Sequence, residues 1–122
     1  MTKTNEARKS ATNDNSNRVP SLSGKEALVL ELLLESQSKK MYGLEMVAAS
    51  QDRLKRGTVY VTLDRMEDKG YIRSQQEEPR AGASGIPRRI YEVTGYGQKA
   101  FEIWQLAKEL KQLRAAELGG LA

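Results

Sequence analysis

The chain has 122 residues, 39% hydrophobic and 30% charged, with 20 basic against 16 acidic residues and a net charge of +4 at pH 7. That balance suits one soluble globular domain with a polar extension, and an anionic partner would need the modest positive excess gathered in one place. His and Cys are absent, which removes imidazole bases, thiolate nucleophiles, disulfides and the usual zinc sites, and no apolar run reaches the roughly 18 residues of a membrane span. The N-terminus also lacks the apolar core of a signal peptide. The expectation is a non-enzymatic cytoplasmic protein with no catalytic residues, metal, cofactor or membrane partner.

Residues 1–22 are rich in Ser, Thr, Asn, Lys and Arg and almost devoid of apolar side chains. Such a segment buries too little surface to offset ordering, so it reads as a disordered polar tail. Ser23 stands three residues before Glu26, the spacing of a capping box. The run Ala27-Leu28-Val29-Leu30-Glu31-Leu32-Leu33-Leu34 that follows predicts a helix packed on two neighbours. Gln37 to Lys40 reads as a loop. Met41 to Ser50 reads as a short second helix, with Leu44, Val47 and Ala48 as its core face.

A third helix is predicted over residues 55–69. Val59, Leu63 and Met66 form its apolar stripe, while Thr58, Val61, Thr62 and Arg65 recur on another face. Thr can bond base edges, Val can touch a thymine methyl and Arg can reach guanine or phosphate, so this face can lie in a major groove. An ordinary surface helix has the same periodicity. A short helix, a turn and an amphipathic helix together make a helix-turn-helix. Gly70 ends the third helix, and Tyr71 to Gln76 and Arg88 to Val93 read as two strands of a hairpin, with Tyr91 and Val93 on its core face. The loop between them, within the wing of residues 77–89, carries Pro and Gly.

Thr94 caps the last helix, with Gly95 and Gly97 in a loose first turn and the body running from about Gln98 to Leu118. Ile103, Leu106, Leu110 and Leu113 are spaced as in a coiled-coil seam, and Phe101 and Trp104 add a second apolar edge. A domain of this size cannot cover such a helix, so a second copy of the chain is expected on it.

These pieces resemble the PadR family of bacterial transcriptional regulators. The resemblance is carried by Tyr42-Gly43-Leu44-Glu45, by Gly57-Thr58-Val59-Tyr60 with Leu63-Asp64-Arg65-Met66-Glu67, by Lys69-Gly70-Tyr71-Ile72, and by Arg88 to Thr94 with Gly97. It spans roughly residues 25–107. It implies a mainly α fold with a small β-hairpin: a winged helix-turn-helix over residues 23–97 and a dimerisation helix over 98–122. It also implies a homodimer that binds double-stranded operator DNA, usually as a repressor. Two departures stand out. Val61 occupies a position where family members commonly have Pro, and Lys55-Arg56 replaces Ser-Pro, adding positive charge. The last helix is short for the family, so no separate C-terminal domain is expected.

The candidate DNA contacts follow. Arg56, Gly57 and Thr58 open the third helix, where free N–H groups and the helix dipole favour phosphate. Tyr60, Val61, Thr62 and Arg65 follow on it. Lys39, Lys40 and Tyr42 start the second helix, and Arg80, Arg88 and Arg89 cluster in the wing, where Glu77 and Glu78 partly offset them. The candidate dimer contacts are Phe101, Ile103, Trp104, Leu106, Leu110 and Leu113. An aromatic on that helix lines an interfacial drug pocket in some relatives, so the resemblance leaves room for a small-molecule effector beside Trp104; packing is the commoner role. The competing function is a protein–protein adaptor on the same fold.

Overall fold

The computed structural model describes residues 20–78 and 87–120. Residues 1–19 of the polar tail, Arg80 and the small-residue stretch of the wing loop lie outside the described residues, while Leu22, at the end of that tail, packs against the core. The elements run α1 (Gly24–Glu35), β1 (Lys40–Tyr42), α2 (Gly43–Ala49), α3 (Val59–Asp68), β2 (Ile72–Gln76), β3 (Arg89–Val93) and α4 (Gly95–Gly120).

The capping box of α1 is formed. Ser23 Oγ accepts from the Glu26 N–H at 3.1 Å, and Glu26 Oε1 accepts from the Ser23 N–H at 2.9 Å. Val29, Leu30 and Leu33 of α1 are fully buried and form the centre of the core. Around them pack Met46 of α2, Val59, Leu63 and Met66 of α3, Ile72 and Tyr91 of the sheet, and Ala100 and Phe101 of α4. Each Val, Leu, Ile, Met or Phe side chain among them contributes about 1.5–3 kcal/mol on leaving water.

Two expectations are corrected in the next segment. The second helix begins at Gly43, not Met41, because Lys40–Tyr42 pairs with β3 as a third strand. The sheet order is therefore β1-β3-β2, antiparallel throughout, rather than a lone hairpin. Leu44 and Ala48 point outward, and Gly43, Met46 and Ser50 face the core instead. Gly43 is buried because the Tyr60 ring lies against it; a Cβ there would stand 2.7 Å from Tyr60 Cε1.

The turn between α2 and α3 is built on Ser50. Its Oγ donates to the Val47 carbonyl at 2.8 Å and accepts from the Leu54 N–H at 2.9 Å. Gln51 and Asp52 take the left-handed conformation that reverses the chain, and Leu54 returns to the core. α3 ends at Gly70, with φ of +82°. The Tyr71 N–H donates to the Met66 carbonyl and the Gly70 N–H to the Glu67 carbonyl, each at 3.0 Å, which is a Schellman motif.

α4 starts earlier and more tightly than its glycines suggest. Thr94 Oγ1 accepts from the Gly97 N–H at 3.0 Å and donates to the Gly70 carbonyl at 2.6 Å. Gly97 lies so close to the preceding turn that a Cβ would stand 1.9 Å from the Tyr71 carbonyl oxygen. Among the described residues no helix is long and apolar enough to cross a membrane.

Candidate nucleic-acid interface

α3 turns Val59, Leu63 and Met66 inward as expected. Val61, 57% exposed, and Arg65 face outward, with Tyr60 half-exposed beside them. Thr62 does not belong to that outward face. It is 9% exposed, three residues from Val59 and four from Met66, and so sits on the edge of the apolar stripe. Its hydroxyl is directed to the Thr58 carbonyl, 3.4 Å away. Before the helix, Lys55, Arg56, Gly57 and Thr58 are all exposed. The first turn of α3 holds no acid, and the Thr58 side chain makes no cap bond, so the positive end of the helix is left to solvent. Gly57 has no positive φ, and a Cβ there would meet nothing within 4 Å.

Tyr42 is both the last residue of β1 and the residue before α2. Its N–H donates to Glu45 Oε1 at 2.8 Å, and its hydroxyl donates to Glu77 Oε1 at 2.6 Å. That bond, followed by partial desolvation and the Glu77 charge, pushes the phenol above its ordinary pKa. The Arg88 guanidinium stacks on the same ring, 4.1 Å from its centroid. Glu77 thus has a defined partner, where the sequence offered only an offsetting charge. The register that brings it to Tyr42 depends on β1, which had no visible signal.

Lys39 and Lys40 do not start α2. Lys39 takes φ of +62° and folds back so that its Nζ donates to the Leu34 carbonyl near the end of α1. Lys40 lies opposite Glu92 in the sheet, at the end of β1 away from Tyr42. The structure therefore separates these two lysines from the rest of the candidate contacts. Arg89 instead faces α3: its Nη1 donates to Ser74 Oγ at 2.9 Å, and that hydroxyl donates to Glu67 Oε2 at 2.7 Å. Between them, burial pushes the Tyr91 phenol up, and the Asp64 and Glu67 charges add to the effect while Arg89 opposes it.

Among the described residues the ion pairs are Lys69–Glu26 at 2.9 Å and Arg73–Glu92 at 2.7 Å. Neither uses Arg56, Arg65, Arg88 or Arg89. Two pockets among the described residues, of about 270 and 260 Å³, include the Lys40, Glu92 and Arg73 row and the Lys39 end of α1; neither is enclosed by α3. No metal-binding group of acids is found among the described residues.

On α4, Phe101 is 7% exposed and packs into its own domain, which corrects its assignment to the dimer surface. Trp104 is half-buried and stacks on Phe101 with ring centroids 6.1 Å apart, and Lys108 Nζ lies over the Trp104 ring, 5.1 Å from its centroid. Ile103, Leu106, Leu110 and Leu113 are exposed, the last at 64%.

The comparisons with known proteins agree with this architecture. The Transcriptional regulator PadR-like family model matches residues 29–103, more than half of the chain. A PadR family transcription regulator from Clostridium difficile R20291 is similar at 29% identity and TM-score 0.58, over 80% of this chain and 97% of that one. A PadR family regulator from Eggerthella lenta is similar in fold at 22% identity and TM-score 0.58, over 79% of each chain. Bacillus subtilis PadR, solved in complex with operator DNA, is similar in fold at 15% identity and TM-score 0.59, over 70% of this chain and 48% of that one. No curated protein matches the chain in sequence. With its sequence matched from the first helix into the last, and its fold shared with solved members, the chain belongs to the PadR-like family of transcriptional regulators.

Proposed function

We propose that this regulator is a homodimeric, sequence-specific DNA-binding protein that acts as a repressor, with α3 in the major groove and the wing on the adjacent groove or backbone. The observation that carries the reading is the group of exposed arginines at α3 and the wing, Arg56, Arg65, Arg88 and Arg89, none of which forms an ion pair among the described residues, while Lys69 at the end of α3 and Arg73 of β2 do. Arg65 and Val61 reach base edges, Arg56 and the open start of α3 take phosphate, and Arg88 and Arg89 take the backbone beside the wing. The complex of Bacillus subtilis PadR with operator DNA supports the same partner for this chain. Lys39 and Lys40 drop out of the contact set because the fold turns them to α1 and Glu92.

The test begins with footprinting on the promoter region beside the chain's own gene, followed by titration of the site and a scrambled duplex at two salt concentrations. About four phosphate contacts per protomer give a log–log salt slope near −7 for the dimer, at about −0.9 per contact. Arg65→Ala costs about 1–3 kcal/mol on the site and much less on the scrambled duplex. Arg89→Ala weakens both by similar factors and makes the slope shallower. A slope near zero would favour the protein–protein adaptor instead. Equal losses for Arg65→Ala on both duplexes would make Arg65 a backbone clamp and remove it from the reading face.

A further inference from the structure

β1 is three residues long and ends at Tyr42, opposite Ile90. β2 and β3 continue past that point, through the Gln76–Arg89 pair to the Glu77 N–H donating to the Arg88 carbonyl at 2.8 Å. From there the hairpin is two-stranded, and a two-stranded ribbon without further support is marginal in water. Side chains on one face recur every second residue, so Tyr42 and Ile90 share a face with Glu77 and Arg88. The Tyr42 side chain extends along that face beyond the end of its own strand: its ring lies under the Arg88 guanidinium, 4.1 Å to the centroid, and its hydroxyl reaches Glu77 Oε1 at 2.6 Å.

We propose that Tyr42 and Glu77 form a strut that takes the place of the missing strand and holds the wing root, with Arg88, at a fixed angle to the start of α2. They are positioning residues for DNA binding. The inference rests on the DNA-binding reading and goes beyond it: wing and helix-turn-helix meet the duplex as one rigid piece, and Arg88 is presented by a residue of the helix-turn-helix itself. The negative charge of Glu77 stands beside the interface, where an acid is otherwise unfavourable, because it is the acceptor that locks the phenol.

The strut makes a prediction of sign. Glu77→Ala removes an anion from the neighbourhood of DNA, yet binding should weaken by roughly threefold to tenfold, the range of one modest hydrogen bond. Glu77→Gln keeps an acceptor for the phenol and sheds the charge, so it should bind as well as the original chain or better. Tyr42→Phe keeps the ring under Arg88 and breaks the bond, so it should behave like Glu77→Ala, and the two changes combined should cost no more than either alone. Tighter binding by Glu77→Ala would overturn the proposal and make Glu77 a mere competitor of phosphate. Backbone amide relaxation of residues 88–92 in the absence of DNA gives an independent readout: Tyr42→Phe and Glu77→Ala should loosen these amides and Glu77→Gln should not, and unchanged order in all three would equally overturn it. Failure of the original chain to bind duplex DNA would defeat the DNA reading alone, since the relaxation measurement still decides the strut.

Discussion

At the scale of single residues, two glycines near helix starts have opposite reasons to be there. Gly97 is held against the Tyr71 carbonyl, with no room for a methyl group. Gly57 has open space around its Cα and an ordinary φ, so nothing within the folded chain requires it to lack a side chain. On the proposed DNA-binding reading, close approach by the DNA backbone is the reason. Gly97→Ala must push α4 off the Gly70 turn and should cost about 1–3 kcal/mol or more, as overpacking does. Gly57→Ala should leave the melting temperature unchanged or slightly raised, because it restricts the unfolded chain, while weakening DNA binding roughly tenfold, or about 1.4 kcal/mol. Thermal melts and duplex titrations of both variants check this. A Gly57→Ala protein that melts normally and binds DNA normally would show that the residue is an idle turn glycine. The same scale exposes one misjudged residue. Thr62 has a hydroxyl suited to base edges, but its helical phase places it three residues after Val59, which assigns it to the core edge whatever its chemistry.

At the scale of elements, α1 and α3 are tied by a buried carboxylate. Glu26 is 1% exposed, caps α1 through the Ser23 N–H, and accepts from Lys69 Nζ at 3.1 and 2.9 Å. Lys69 sits at the C-terminal end of α3, where a cation also complements the helix dipole. Its own side chain is 36% exposed, so the pair is screened on one side. Lys69→Met should therefore cost about 1–3 kcal/mol in urea unfolding, below the 3–5 kcal/mol of a fully buried pair losing one partner. A cost near zero would mean that water and the Ser23 N–H satisfy Glu26 alone. The capping box, the α3 stripe and the Schellman glycine were legible because each is a local pattern of a few residues. β1 was not: Lys40-Met41-Tyr42 is too short to show a period of two, and it exists only through pairing with β3 some fifty residues later in the chain. The face of α2 was missed for a related reason. Gly43 carries no hydrophobic signal, and it is buried by an aromatic ring from α3 rather than by its own side chain.

At the scale of the whole molecule, α4 is out of proportion to the domain that carries it. It has 26 residues, about 39 Å at 1.5 Å per residue, and its packing on the domain ends with Ala100, Phe101 and Trp104. Beyond that point Leu106 and Leu110 stand 57% and 58% exposed, in line with Ile103 and Leu113. A lone helix with this stripe in water would leave apolar area uncovered at about 25 cal/mol per Å². In the proposed homodimer, a second α4 related by a two-fold axis would cover it with the same residues from both chains. On that proposal the consequence for DNA is geometric, since paired helices would present two copies of α3 to half-sites a whole number of helical turns apart. Replacing both Leu106 and Leu110 with Lys keeps helix propensity, because the two residue types rank closely, but puts charge into the seam. The double variant should sediment as a monomer, retain most of its helical circular dichroism, and lose the concentration dependence of its melting temperature. Its DNA affinity should fall far more than either Arg65→Ala or Arg89→Ala achieves, because each protomer then binds its half-site alone. If the unaltered chain sedimented as a monomer at tens of micromolar, or the double variant stayed dimeric, the exposed stripe of α4 would need another occupant.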